Sequence, residues 1–92
     1  MSIQNKFVPI FLKIISRHPD GVTTREVMRI IEMTYPFSEE DLEILPSTGK
    51  PRWEQIVRNL NSNKVMQIND LAYIEDKKWN ITNVGLKYLE YE

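Results

Sequence analysis

Apolar residues recur at helical spacing through the first half of the chain. From Asn5 to Arg17, a broad stripe of Phe7, Val8, Phe11, Leu12, Ile14 and Ile15 predicts a core-facing helix with Pro9 in its first turn. His18-Pro19-Asp20-Gly21 ends it, since Pro19 restricts the residue before it and Gly21 suits a left-handed turn. Thr23 and Glu26 form a capping-box pattern ahead of Val27, Ile30 and Ile31, which predicts a second helix running to about Met33. Tyr35-Pro36-Phe37 stops that helix. Ser38-Glu39-Glu40-Asp41 then opens a short acidic helical turn whose carboxylates meet the positive end of the helix dipole. Leu45 to Lys50 reads as a loop.

Between Pro51 and about Asn63, Trp53, Ile56, Val57 and Leu60 define one buried face of a third helix, with Pro51 suited to its start. The pattern then changes. Val65 to Ile68 and Leu71 to Ile74 are short runs rich in apolar and β-branched residues, and Trp79 and Ile81 alternate with polar residues in Lys78 to Thr82. These runs predict a small sheet turning at Glu75-Asp76-Lys77. Thr82 can cap a last helix, Asn83 to Tyr91, which returns Val84, Leu86, Tyr88 and Leu89 to the core and is weakened by Gly85. Trp53 and Trp79 fall in these packing patterns, so both are expected in the core rather than stacked on a ligand. The expected class is α+β, mainly helical: three helices, two or three strands and a helix, without internal repeats.

Composition narrows what such a fold can do. With 92 residues the chain is read as one domain, too small to enclose a deep substrate cavity. The absence of cysteine excludes disulfides and thiolate zinc sites, and a single histidine, His18, excludes a site built on several imidazoles. No apolar run reaches the about 18 residues of a membrane span, and the N-terminus lacks the pattern of a secretory leader. A cytoplasmic protein with no membrane partner and no cofactor is expected. The net charge of −1 gives no general attraction to nucleic acid, so any such role must rest on local charge.

Local charge is found at the third helix. Within Ser47 to Lys64, Lys50, Arg52, Arg58 and Lys64 are opposed only by Glu54, a local excess of +3. Opposite the buried face lie Gln55, Arg58 and Ser62, with Glu54, Asn59 and Asn61 on the flanks. Gln55, Arg58, Asn59 and Ser62 are thus candidate base readers: Arg bonds guanine in bidentate fashion, Gln and Asn bond adenine, and Ser bonds either. Lys50, Arg52 and Lys64, together with Ser47, Thr48 and the backbone amides of Ser47 to Gly49, are candidate phosphate contacts, joined by Lys77 and Lys78 on the hairpin. A polar exposed helix face is ordinary by itself. Set in the order helix, turn, helix and basic-edged hairpin, it matches a winged helix-turn-helix docking on double-stranded DNA.

The chain also resembles the winged-helix domain at the N-terminus of Mrr-type restriction endonucleases. The likeness runs through Phe7-Val8-Pro9-Ile10-Phe11-Leu12, Asp20-Gly21, Thr24-Arg25-Glu26-Val27 and Leu45-Pro46-Ser47 with Gly49-Lys50. It continues through Pro51 to Leu60 and closes on Trp79-Asn80-Ile81-Thr82-Asn83-Val84-Gly85. The resemblance implies a small β-wing, a C-terminal helix and a role in targeting a restriction or defence nuclease that lies in another domain or a partner chain, with sensing of a modified base as a refinement. Where the family has Gly after the recognition helix and Arg-Gly at the wing tip, this chain has Asn63-Lys64 and Glu75-Asp76-Lys77. Phosphates repel that acidic tip, which argues against deep insertion of the wing.

Catalytic constellations are weak. Pro19-Asp20 and Glu75-x-Lys77 fit a PD-(D/E)xK nuclease pattern only by force, as Asp20 falls in an interhelical turn. His18 has no partner in a motif and reads as a helix-end histidine, and the glycines at 21, 49 and 85 form no phosphate-binding fingerprint. Glu39, Glu40, Asp41 and Glu43 read as a solvated acidic face. The rival readings are a protein-interaction or dimerisation module, using Tyr73, Tyr88, Tyr91 and the Leu71 to Ile74 strand, and a free-standing transcriptional regulator.

Overall fold

The computed structural model describes residues 5–91. The elements are α1 (Phe7–Ser16), α2 (Thr24–Thr34), α3 (Glu39–Leu42), α4 (Arg52–Ser62), α5 (Val65–Ile68), β1 (Ala72–Glu75), β2 (Lys78–Ile81) and α6 (Asn83–Glu90). The chain is a small α+β domain, mainly helical, with one two-stranded antiparallel sheet. None of these helices is long and apolar enough to cross a membrane.

The helix starts follow the capping chemistry of the sequence. Thr23 and Glu26 form a reciprocal capping box at α2, and Ser38 and Asp41 form another at α3. At α1 the Asn5 Oδ1 accepts the Phe7 amide N–H at 2.9 Å, and Pro9 sits in the first turn, where it removes no needed hydrogen bond.

Helix α1 is the centre of the molecule. Its Phe7, Val8, Phe11, Leu12, Ile14 and Ile15 meet Val27 and Ile31 of α2, Trp53, Val57 and Leu60 of α4, Met66, Leu71 and Trp79 in one buried cluster. Both tryptophans are core residues, as their patterns predict. Trp79 packs edge-on to Phe11 with ring centres 5.4 Å apart, and its indole N–H donates to Thr24 Oγ1 at 2.7 Å, so its one polar atom is satisfied. Trp53 stacks on Phe37 at 4.8 Å, and Phe37 in turn meets Tyr35, which meets Phe7. This aromatic chain ties the start of α1 to α4.

In the sheet, Glu75 pairs with Lys78, so Asp76 and Lys77 alone form the turn, at φ 52° and 65°. This is the left-handed pairing that suits the twist of a two-residue hairpin, here built without glycine. Val22 forms an isolated antiparallel bridge with Trp79, drawing the α1–α2 turn onto β2.

Two sequence expectations are corrected. Val65 to Ile68 reads as a strand, yet it is the single helical turn α5, entered through Lys64 at φ 53°. A run of four residues is too short for periodicity to distinguish helix from strand; here the left-handed Lys64 and the bond from Asn69 Nδ2 to the Val65 carbonyl close a turn. In α6, Val84 and Leu86 are exposed, whereas Gly85 is buried and Tyr88 and Leu89 are half-buried. The inward stripe therefore runs through Gly85, Tyr88 and Leu89, and Val84 and Leu86 are rotated off it by about 100° each way. Gly85 is also more than a weak helix former: a Cβ there would collide with the Leu71 carbonyl oxygen, so only glycine permits the close approach.

Candidate nucleic-acid interface

Helix α4 turns Trp53, Val57 and Leu60 inward, with Ile56 half-buried beside them. Its start is fixed from two sides. The Arg52 amide donates to the Glu43 carbonyl at 2.8 Å, and the Arg52 Nη2 donates to Glu43 Oε1 at 2.8 Å. Arg52 Nε is buried with no partner among the described residues. Arg52 thus anchors α4 to the segment after α3, and its charge is opposed by a carboxylate.

The loop before α4 closes on itself. Leu45 N–H donates to the Lys50 carbonyl at 2.9 Å, and the Thr48 and Gly49 amides both donate to the Leu45 carbonyl, at 3.3 and 2.8 Å. Thr48 Oγ1 also accepts the Lys50 amide at 3.3 Å. The Thr48 and Gly49 amides proposed as phosphate contacts are therefore occupied within the loop, a correction that leaves the Ser47 amide and the exposed Ser47, Thr48 and Lys50 side chains as the loop's remaining candidate contacts.

Facing away from the core, Arg58, Asn59 and Ser62 are exposed and Gln55 is half-buried. Gln55 Nε2 donates to Asn59 Oδ1 at 2.9 Å, and Arg58 Nη2 donates to Glu54 Oε1 at 3.2 Å. Gln55 Oε1, Asn59 Nδ2 and the other Arg58 guanidinium N–H groups remain without a protein partner among the described residues. One face of α4 thus offers both acceptors and donors. Lys50 and Lys64 stand exposed beyond the two ends of the helix, about 16 Å long at 1.5 Å per residue, and neither is ion-paired among the described residues.

The hairpin is placed differently. Lys77 lies at its exposed tip, while the Lys78 stem covers Gly21 and its residue lines a shallow cleft of about 240 Å³ with Asp20, Glu75, Asp76 and Asn80. Lys78 sits among carboxylates. Asp20 and Glu75 of the forced nuclease pattern line this cleft, but its lysine, Lys77, does not, and among the described residues no three acidic or imidazole groups are close enough to hold a metal ion. His18, at the end of α1, has its Nδ1 at 2.8 Å from the Ile14 carbonyl. Since that oxygen can only accept, Nδ1 carries the proton.

The acidic group around α3 is not uniformly solvated. Glu39 and Glu40 are exposed and Glu43 holds Arg52, but Asp41 is buried, at 3% exposure, and its Oδ1 accepts from Lys6 Nζ at 2.6 Å. Burial opposes the charged form of Asp41; the bonds from Lys6 and Ser38 outweigh it and hold the carboxyl below its ordinary range. Hydrogen bonding to Asp41 raises the Lys6 ammonium above its own.

A feature that the sequence pattern does not reveal lies between α2 and α4. Thr24, Arg25 and Met28 face Glu54, Arg58 and Asn61 across a cleft of about 390 Å³. Arg25 is exposed and makes no ion pair among the described residues, and Asn61 Oδ1 is buried without a partner. The spacing Glu54, Arg58, Asn61 is a helical stripe, but which element it meets is decided only by the fold. No protein-family model, curated protein or solved structure matches the chain.

Proposed function

We propose that this chain is a winged helix-turn-helix domain that binds double-stranded DNA through α4. The observation that carries the reading is the exposed α4 face: Arg58, Asn59 and Ser62, with Gln55 beside them, lie between Lys50 and Lys64, neither of which is ion-paired among the described residues. A helix of this size enters a major groove, where these side chains reach base edges and the flanking lysines meet phosphates. The β1–β2 hairpin serves as the wing, and the Val22 bridge to Trp79 supports this assignment by joining the wing to the α1–α2 turn. The acidic surroundings of Lys78 give the wing a shallow role, leaving Lys77 as its phosphate contact.

The resemblance of the Leu45-Pro46-Ser47 segment and the Pro51 to Leu60 helix to Mrr-type N-terminal domains supports a targeting role for a restriction or defence nuclease, with catalysis supplied by another domain or a partner chain. An interaction module is the second reading, favoured by the exposed Tyr73, Ile74, Val84, Leu86 and Tyr91 on β1 and α6.

Fluorescence anisotropy with a pool of unmodified and methylated duplexes, at low and moderate salt, tests the proposal. Wild type is expected to bind saturably and to weaken with salt, and Arg58→Ala to lose about 10-fold or more. A folded protein that binds neither pool would transfer the case to the interaction module.

A further inference from the structure

The cleft between α2 and α4 places two arginines from different helices beside one carboxylate. Arg25 has no ionic partner among the described residues; Arg58, with about half of its side chain exposed, is held by Glu54 at 3.2 Å. We propose that this cleft divides labour within the DNA interface: Arg25 takes a backbone phosphate, and Glu54 is a positioning residue that reserves Arg58 for base edges. The inference rests on the DNA-binding reading above and adds to it a contact residue and a determinant of specificity.

The chemistry follows from the competition for Arg58. A phosphodiester and the Glu54 carboxylate are both anionic acceptors for one guanidinium, and a phosphate placed on Arg58 would also stand against the Glu54 charge. With Glu54 present, the cation left open to a phosphate at this cleft is Arg25. A base edge suffers no such repulsion, because guanine offers uncharged O6 and N7 acceptors to the guanidinium N–H groups that Glu54 leaves unbonded. Glu54 stands four residues before Arg58 on α4, the favourable order for a helical ion pair, and is itself only 23% exposed, so its carboxylate is confined near the cleft. Arg25 projects from the first turn of α2, whose Thr24 already accepts the Trp79 indole N–H, fixing that turn to the core. Each arginine is therefore carried by a helix anchored in the same buried cluster.

The test begins with a duplex selected from a random pool by the wild-type protein and a scrambled duplex of the same composition. Anisotropy titrations at several salt concentrations then compare wild type with Arg25→Ala, Arg25→Gln, Glu54→Gln and Arg58→Ala, with circular dichroism and thermal midpoints to show that each is folded. Removal of Arg25 is expected to weaken both duplexes equally, by about 10-fold at low salt, and to reduce the slope of log affinity against log salt by about one. Glu54→Gln is expected to tighten the scrambled duplex more than the selected one, lowering their affinity ratio by about 5-fold and steepening the salt slope, as Arg58 is released to phosphates. Arg58→Ala should lower the ratio mainly through the selected duplex. Unchanged affinity and slope in both Arg25 variants, alongside loss in Arg58→Ala, would overturn the assignment of the cleft while leaving DNA binding by α4 intact. Equal weakening of both duplexes by Glu54→Gln would overturn its positioning role. Wild type that binds neither duplex would overturn this inference together with the reading on which it rests.

Discussion

Lys64, Asp70, Asp76 and Lys77 all adopt left-handed backbone angles, with φ between 52° and 65°. For side chains with a Cβ this region costs about 1 to 2 kcal/mol, less for Asp than for Lys. Replacing Asp76-Lys77 by Asn-Gly should therefore stabilise the protein by about 1 kcal/mol, seen as a rise of roughly 4 to 8 °C in thermal midpoint. The opposite outcome is expected for Gly85→Ala, which drives a methyl group into the Leu71 carbonyl and should cost about 3 kcal/mol in a denaturant titration. Sequence marks Gly85 only as a poor helix former. The approach of Leu71 depends on how the residue before β1 is drawn to the start of α6, where Thr82 bonds its carbonyl, and nothing local to Gly85 encodes it. By contrast, the Thr23–Glu26 and Ser38–Asp41 boxes are legible because each is closed within four consecutive residues.

At the level of elements, the short α3 is held to α1 by Asp41 and Lys6. The Asp41 carboxyl has a lower pKa folded than unfolded, so its contribution is fully present above the unfolded value of about 3.9 and is lost as pH falls through the folded value. Glu26, lowered by its hydrogen bonds to Thr23, acts in the same direction. Lys6, raised by Asp41, adds stability that is present below the unfolded value of about 10.4 and is lost as pH rises through the folded one. Thermal midpoints between pH 7 and pH 3 should thus fall on acidification for wild type and fall less for Asp41→Asn, which starts about 2 kcal/mol less stable at pH 7. An equally steep fall in both would show that Asp41 does not carry the dependence. Helices α1, α2 and α4 are legible as elements because their apolar residues repeat over ten or more positions. The single turn α5 is too short to show a period, and its entry depends on Lys64 taking an angle that sequence assigns to glycine.

Across the whole molecule, a net charge of −1 is distributed so that α4 has beyond each end a lysine with no ion pair among the described residues, while Arg52 and Arg58 are held by Glu43 and Glu54. The outward residues of α4 were legible, since a buried stripe of Trp53, Val57 and Leu60 defines its opposite side. The neutralising partners were legible only in part: Glu54 is four residues from Arg58, but Glu43 meets Arg52 only because the intervening loop folds back on itself. Arg25 enters the picture only because α2 and α4 line one cleft. Binding should accordingly be modest in strength and depend on salt less steeply than the four cations from Lys50 to Lys64 would give if all were free. The most direct measurement is titration of isotope-labelled protein with a short duplex, followed by amide and side-chain NMR shifts. Shifts centred on Gln55, Arg58, Asn59 and Ser62, with Lys50 and Lys64 at the margins, are the expected result. Shifts centred on β1 and α6, or none at all from a folded protein at millimolar DNA, would contradict the assignment of α4 as the DNA-binding element.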